Sequence, residues 1–322
     1  MPITSFGSYR ATMEEFAVNW ALANGELGAN PLLLAGNYSR ENFVSEGEAL
    51  LEAMDSVSDL AAAARTAMAN RESAKNALLT RARQFRGEVQ GQIVDKDYLR
   101  ELPAAPPISG DFDKFSQPLR AIARLWTRIN ANTASLQLSG PLTLAGGYTL
   151  AQFQAELDAL PGLYSAMEVA EGNLGEARGN RNNRAKAIYE RMLQYRKLAP
   201  ARLPANSPAL AALPRLSPPP GTTPPPLVVT GAWDQQLVKA RLTWTASSAE
   251  NLEKLQVRGC TGGSYKSENE ELIGDLPADA THWEGDWGLT VPGSIASFKV
   301  YVMTTTGNEN GGKAVKVVRP VT

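Results

Sequence analysis

The chain carries one histidine, His282, and one cysteine, Cys260. A thiol activated by an imidazole would need both in one site. Both fall in the last third of the chain, where His282 stands beside Trp283 and Cys260 ends a short alternating segment, so the expected role of each is ordinary strand packing. Neither belongs to a cluster at metal-ligand spacing. Glu268, Glu270 and Glu271 form an acidic run that could offer oxygens to Ca²⁺, but the Asp/Gly loop pattern of calcium motifs is missing and a solvated loop is the simpler reading. The glycines at 175 and 179 lie in a helical pattern rather than after a strand, which argues against a phosphate loop. The basic stretch Arg178 to Arg184 is interleaved with glutamates nearby, and the formal net charge is −1, so no field recruits nucleic acid. No catalytic residue, cofactor site or metal site is expected.

What must position these residues is legible as a duplication. Pro31-Leu32-Leu33-Leu34-Ala35-Gly36-Asn37-Tyr38-Ser39 recurs as Pro141-Leu142-Thr143-Leu144-Ala145-Gly146-Gly147-Tyr148-Thr149. In the same register Phe43 falls on Phe153, Glu46 on Glu156, Arg81 on Arg191, Gln84 on Gln194 and Arg86 on Arg196. A shorter helical pattern precedes each turn, Tyr9 to Leu27 and Phe115 to Leu138, and the gap-free register pairs Phe16 with Trp126. Ser39 and Thr149 stand at N-cap positions, and Thr149 with Gln152 fits a capping box.

A long helix follows each cap. Phe43, Leu50, Val57, Ala64, Arg71, Leu78 and Phe85 recur as a heptad, matched by Phe153, Leu160, Met167, Leu174, Arg181, Ile188 and Tyr195. Such a stripe implies helices of roughly 45–50 residues, about 70 Å long, lying against a partner as in an antiparallel bundle. Pro161-Gly162 should kink or restart the second. Arg71 and Arg181 interrupt the apolar stripe at matched positions. Two readings stay open: the arginines snorkel at a partly exposed point, or they form a polar core layer that fixes register by pairing with carboxylates or helix-end carbonyls.

Proline-rich strings close each copy, Pro103 to Pro107 and Pro214 to Pro226, and read as semi-rigid spacers. Beyond them the grammar becomes alternating β segments: Leu242-Thr243-Trp244, Leu255-Gln256-Val257-Arg258, and Phe298-Lys299-Val300-Tyr301-Val302. These segments, with Leu289-Thr290-Val291-Pro292-Gly293 and a Gly-rich hairpin at Gly307, resemble a fibronectin type III module, with Phe298 where the corner tyrosine belongs. The resemblance covers residues 227–320 and implies an immunoglobulin-like sandwich and core positions, not a site.

The expected fold is multidomain α and β: a duplicated antiparallel helical bundle followed by an all-β fibronectin type III-like sandwich. Its expected segments are copy one at 1–110, copy two at 111–202, a proline-rich linker at 203–226 and the sandwich at 227–322. Trp283 and Trp287, four apart in the β region, are the candidate partner contacts. The expected function is a non-enzymatic structural or interaction protein that self-assembles into a scaffold, filament or particle component. The partner is then a homo-oligomer or another protein, with no nucleic acid and no membrane span. Two alternatives compete: a carbohydrate- or surface-binding protein acting through the β module, and an enzyme with an unrecognised carboxylate site. With no secretory signal or apolar span visible, the chain reads as cytoplasmic or as exported without a cleaved signal.

Overall fold

Two helices of 53 residues each, α2 (Arg40–Gln92) and α5 (Leu150–Arg202), carry the heptad stripes in this computed structural model. It describes residues 6–107, 111–217 and 223–321, the side chain of Glu268 excepted. The shorter helices are α1 (Tyr9–Leu27), α3 (Lys96–Arg100), α4 (Phe112–Ala131) and α6 (Pro208–Ala211). Every apolar heptad residue except Met167 is buried, which is why the long helices persist. Both starts are capped reciprocally: Gln152 N–H donates to Thr149 Oγ1 at 3.3 Å while Thr149 N–H donates to Gln152 Oε1 at 2.8 Å. Ser39 and Asn42 repeat the exchange at 3.3 and 3.0 Å. The turn before each cap closes as a bridge, Leu34 with Tyr38 and Leu144 with Tyr148. Gly36 and Gly146 both sit at φ 79°, a left-handed conformation that glycine adopts without a Cβ clash. The next residue is also left-handed and is asparagine in one copy and glycine in the other, the two types that tolerate it best.

The chain forms two compact units, Met1–Ala61 with Leu174–Thr322, and Ala62–Asn173. Each unit takes the first half of one long helix and the second half of the other. In the first unit α1 packs Phe16 and Trp20 against Phe43 and Leu50 from the start of α2 and Ile188, Met192 and Tyr195 from the end of α5. In the second, α4 packs Leu119, Ile122 and Trp126 against Phe153 and Leu160 from the start of α5 and Leu78 and Phe85 from the end of α2.

A tryptophan anchors each core. Trp20 lies 4.9 Å from Tyr195 and 5.8 Å from Phe43 by ring centroids, and its Nε1–H donates to the Leu32 carbonyl at 3.0 Å. Trp126 lies 5.3 Å from Phe85 and 5.8 Å from Phe153, and donates to the Leu142 carbonyl at 2.9 Å. Asn24 and Asn130 complete the match by accepting the Leu32 and Leu142 backbone N–H groups at 2.9 and 2.8 Å. The gap-free register is therefore corrected for the first helices: Trp126 answers Trp20, not Phe16. The stretch from Trp126 to Leu142 is four residues longer than that from Trp20 to Leu32, and the sequence match survives only from the turn onward.

Two further expectations change. α5 runs unbroken through Pro161-Gly162, both of which are exposed. The proline strings are not simple spacers. Arg86 donates to the Pro103 carbonyl and Arg196 to the Pro214 carbonyl. Leu203, Ala209 and Leu216 are buried in the first unit's helical core, and Asn19 Nδ2 donates to the Ala209 and Ala212 carbonyls at 2.9 and 3.0 Å. Residues 203–216 are thus a packed strap. Pro218, Pro219 and Pro220 lie outside the described residues.

The β region comprises β1 (Val229–Asp234), β2 (Lys239–Trp244), β3 (Leu252–Thr261), β4 (Glu271–Pro277), β5 (His282–Gly285), β6 (Ile295–Thr304), β7 (Glu309–Asn310) and β8 (Val315–Val318). One antiparallel sheet has the order β1-β2-β5, and the other β4-β3-β6 with β7 and β8 both on β6. Leu242, Trp244, Val257, Phe298, Val300 and Val302 form its core, as their alternation predicts.

Trp20→Ala and Trp126→Ala should each cost about 3–5 kcal/mol in chemical denaturation, because each removes a fully buried ring and an indole–carbonyl bond. A loss under about 1 kcal/mol for either would contradict the anchoring role.

Candidate functional site

Strand β3 supplies the site. Leu255 and Val257 enter the sandwich core, which turns Gln256 and Arg258 to the opposite face. That face is not in solvent: Gln256 and Arg258 are both buried. Arg258 Nη1 donates to Glu270 Oε1 at 3.0 Å and to Glu309 Oε1 at 3.1 Å. Its Nη2 donates to Glu309 Oε2 at 2.6 Å and to Gln256 Oε1 at 2.7 Å. The guanidinium lies 4.0 Å from the centroid of the Tyr301 ring. Glu270 Oε2 accepts from Tyr265 at 2.6 Å and from Tyr301 at 3.0 Å. The side chains of Arg258, Glu270 and Glu309 are only 5%, 9% and 4% exposed, so the network stands largely outside solvent screening.

The electrostatics follow from that burial. Burial alone would lower the Arg258 value, but the hydrogen bonds and charge of Glu309, with the charge of Glu270, outweigh it and hold the guanidinium above its usual range. Burial, then the Glu270 hydrogen bond and charge, raises Tyr265. Burial and the Glu270 charge push Tyr301 up to about 12.

Above this network lies a cavity of about 410 Å³ within the first unit. The β region lines it with Gln256, Arg258, Glu270, Glu271 and Leu272, and the helical part with Phe6, Arg10, Leu51, Met54, Asp55 and Arg181, among others. Chemically, the network binds β3, β6, β7 and the loop before β4 into one polar cross-link. The oxygens of Glu270 are engaged by Arg258, Tyr265 and Tyr301, so this carboxylate is committed to holding structure. Among the described residues, which leave out the Glu268 side chain of this acidic run, no three metal-ligating side chains converge.

The other singled-out residues are placed as follows. His282 is exposed on β5 of the three-stranded sheet, whereas Cys260 is buried on β3 of the other, its Sγ 3.1 Å from the Lys266 carbonyl. Trp283 and Trp287 pack on the sandwich core, 5.6 and 6.1 Å from Phe298 by ring centroids. Gly259 provides the space for Trp287: a Cβ there would stand 2.5 Å from the indole. Arg71 pairs with Glu72 at 2.6 Å, touches Met167 Sδ and lies 5.3 Å from the Tyr164 ring centroid. Arg181 instead donates to the Asn182 amide oxygen at 3.0 Å and lies 3.8 Å from the Phe6 ring centroid. Burial, then the charge of Arg178, lowers its pKa. The two arginines fall in different compact units and do not share one set of partners. The matched pair that does act alike is Arg81 and Arg191: they stack over Tyr148 and Tyr38 at 4.1 and 4.2 Å and donate to Gln84 and Gln194.

Reading one strand at a time missed the Arg258 network, because a polar residue on an alternating strand is assigned to solvent. The available signal was the crowding of Gln256, Arg258, Lys299 and Tyr301 onto one face of adjacent strands β3 and β6.

No family model matches this chain, and no curated protein does. Some solved structures are similar over part of it. An Fn3-like protein from Clostridium thermocellum is 16% identical over 30% of this chain and 95% of its own length, with TM-score 0.25. Pectate lyase PelI from Erwinia chrysanthemi is 15% identical over 29% of this chain, with TM-score 0.25, and the match spans only 28% of the lyase. The chicken CNTN1 FN1-FN3 domains are 10% identical over 31% of this chain and 32% of theirs, with TM-score 0.24. At these scores the likeness carries no functional argument. Among the described residues no helix is long and apolar enough to cross a membrane.

Arg258→Ala should cost about 3–5 kcal/mol, since it strands two buried carboxylates. Its partial rescue by the added changes Glu270→Gln and Glu309→Gln checks the cause. The raised Tyr301 value contributes stability that is fully present below pH 10 and is lost as pH rises through about 12. Melting temperature should therefore fall over that window, and less steeply in Tyr301→Phe. An identical alkaline limb in the variant would overturn the assignment.

Proposed function

We propose that this protein is a non-enzymatic structural scaffold: a duplicated, antiparallel helical body that carries a fibronectin type III-like sandwich and assembles with further copies into a filament, sheath or particle component. The observation that carries this reading is the doubled set of anchoring contacts. Trp20 with Leu32 and Asn24 is answered by Trp126 with Leu142 and Asn130, and Arg191 over Tyr38 by Arg81 over Tyr148. Sequence spent twice on the same kind of core builds two rigid bodies in one chain, each with a face free for docking. The buried polar groups of the Arg258 network are engaged with one another, which suits mechanical linkage more than turnover.

A second reading has its own support. A surface cavity of about 480 Å³ along β1 and β2 is lined by Trp233, Thr230, Asp234, Gln235 and Arg241 among others, an aromatic beside hydrogen-bonding groups as carbohydrate recognition requires. It moves a sugar contact from Trp283 and Trp287 to Trp233.

Light scattering after size exclusion, with electron microscopy of the same fractions, should show masses that are multiples of the chain and particles with a regular repeat. A monomer unchanged across concentration and salt would end the scaffold reading. Trp233 fluorescence quenched by soluble polysaccharide, and insensitive to Trp283→Phe, would favour the second.

A further inference from the structure

The cores of the two units match, but the outward faces of α1 and α4 do not. Aligning Trp20 with Trp126 pairs the exposed stripe Glu14, Val18 and Leu22 of α1 with Arg120, Arg124 and Arg128 of α4. Glu15 and Ala121 extend the match. On α1 this face is acidic and apolar, with Val18 69% and Leu22 43% exposed. On α4 the same positions are cationic. The cavity beside α4, about 740 Å³, is lined in part by Pro103, Ala104 and Pro107, and its charged lining residues are Lys114, Arg120 and Arg124.

We infer that the α1 stripe of one copy docks on the α4 stripe and adjoining cavity of a second copy of this chain. The inference rests on the scaffold reading and names its surface. Charge complementarity selects the occupant: Glu14 meets Arg120 and Arg124, with a smaller share from Glu15, which is already engaged within the chain, while the methylene stems of the arginines cover Val18 and Leu22. Arg128 contributes less charge, because Glu101 already holds it at 2.6 Å, and Lys114 is 3.4 Å from Asp111. Arg10, one turn before Glu14, lines the cavity over the Arg258 network. The stripes run about 12 Å along each helix. The two faces are different surfaces, so the contact is head-to-tail, and it propagates from copy to copy unless its rotation closes a ring.

The test uses the full chain. Glu14→Arg/Glu15→Arg and Arg120→Glu/Arg124→Glu are made separately, and each is checked for an unchanged far-ultraviolet spectrum and melt. In sedimentation velocity at tens of micromolar and about 50 mM salt, wild type should exceed the single-chain mass and dissociate toward it at about 500 mM. Each variant alone should remain a single chain, and an equimolar mixture should associate again, because one supplies the native α1 and the other the native α4. Wild type that assembles equally well with either reversal overturns this surface and leaves the scaffold reading standing. Wild type that is monomeric at both salts overturns both. Loss of assembly in the α4 variant alone, with the α1 variant unaffected, overturns α1 as the occupant of the cationic groove.

Discussion

A helix of 53 residues with one apolar stripe cannot bury that stripe alone. Everything in the helical region answers this constraint. The first half of each long helix is covered by the short helix that precedes it in sequence, and the second half of the other long helix completes the same core. The exchange makes each unit depend on segments far apart in the chain: Tyr195 donates to Asn19 Oδ1 at 2.7 Å across most of the sequence. The cost is contact order, since these pairings close long loops before they are rewarded. The return is that neither long helix can fray at one end without opening a core that contains the other.

The same constraint explains why polar contacts are placed where they are. An indole N–H, an asparagine amide and a tyrosine hydroxyl are each expensive to bury unpaired. Trp20, Asn19 and Tyr195 are all buried: Trp20 finds the Leu32 carbonyl at the turn, Asn19 the Ala209 carbonyl of the strap, and Tyr195 the Asn19 amide oxygen on α1. The turn must therefore present the Leu32 or Leu142 carbonyl at a fixed point, and its left-handed residues are what fix it. The recurring Leu-Ala-Gly-x-Tyr is the visible trace of that requirement.

Much of the helical architecture was legible because its signals are local and periodic. The heptads, the caps on Ser39 and Thr149 and the glycine turns each require particular residue types at fixed spacing. The register of α1 against α4 was not legible: Phe16 and Trp126 align in an ungapped comparison, and only the geometry of the carbonyl that Trp20 and Trp126 share in kind reveals the one-turn offset. The strap was hidden for a different reason. Proline composition reports backbone stiffness, not what Leu203 or Leu216 packs against. For the β region the alternation located one buried face, and the burial of Gln256 and Arg258 on the other depended on residues distant in sequence, down to Glu309.

The divergence of the two short helices is informative because the matched contacts of Trp20 and Trp126 allow their positions to be compared one by one. Positions facing the cores kept their chemistry between copies: Phe16 and Ile122, Trp20 and Trp126, Asn24 and Asn130. Substitutions on exposed faces usually change stability by no more than about 0.5 kcal/mol, so folding alone leaves the outer stripes free. A helix needs only solubility from such a face, and a mixture of signs supplies that. Instead Glu14 stands where α4 has Arg120, and Val18 and Leu22 where α4 has Arg124 and Arg128. Keeping Val18 and Leu22 in water gains nothing for the fold, and gathering three arginines along one helix face adds mutual repulsion. Both features make sense together when something covers them, and each helix presents what the other lacks.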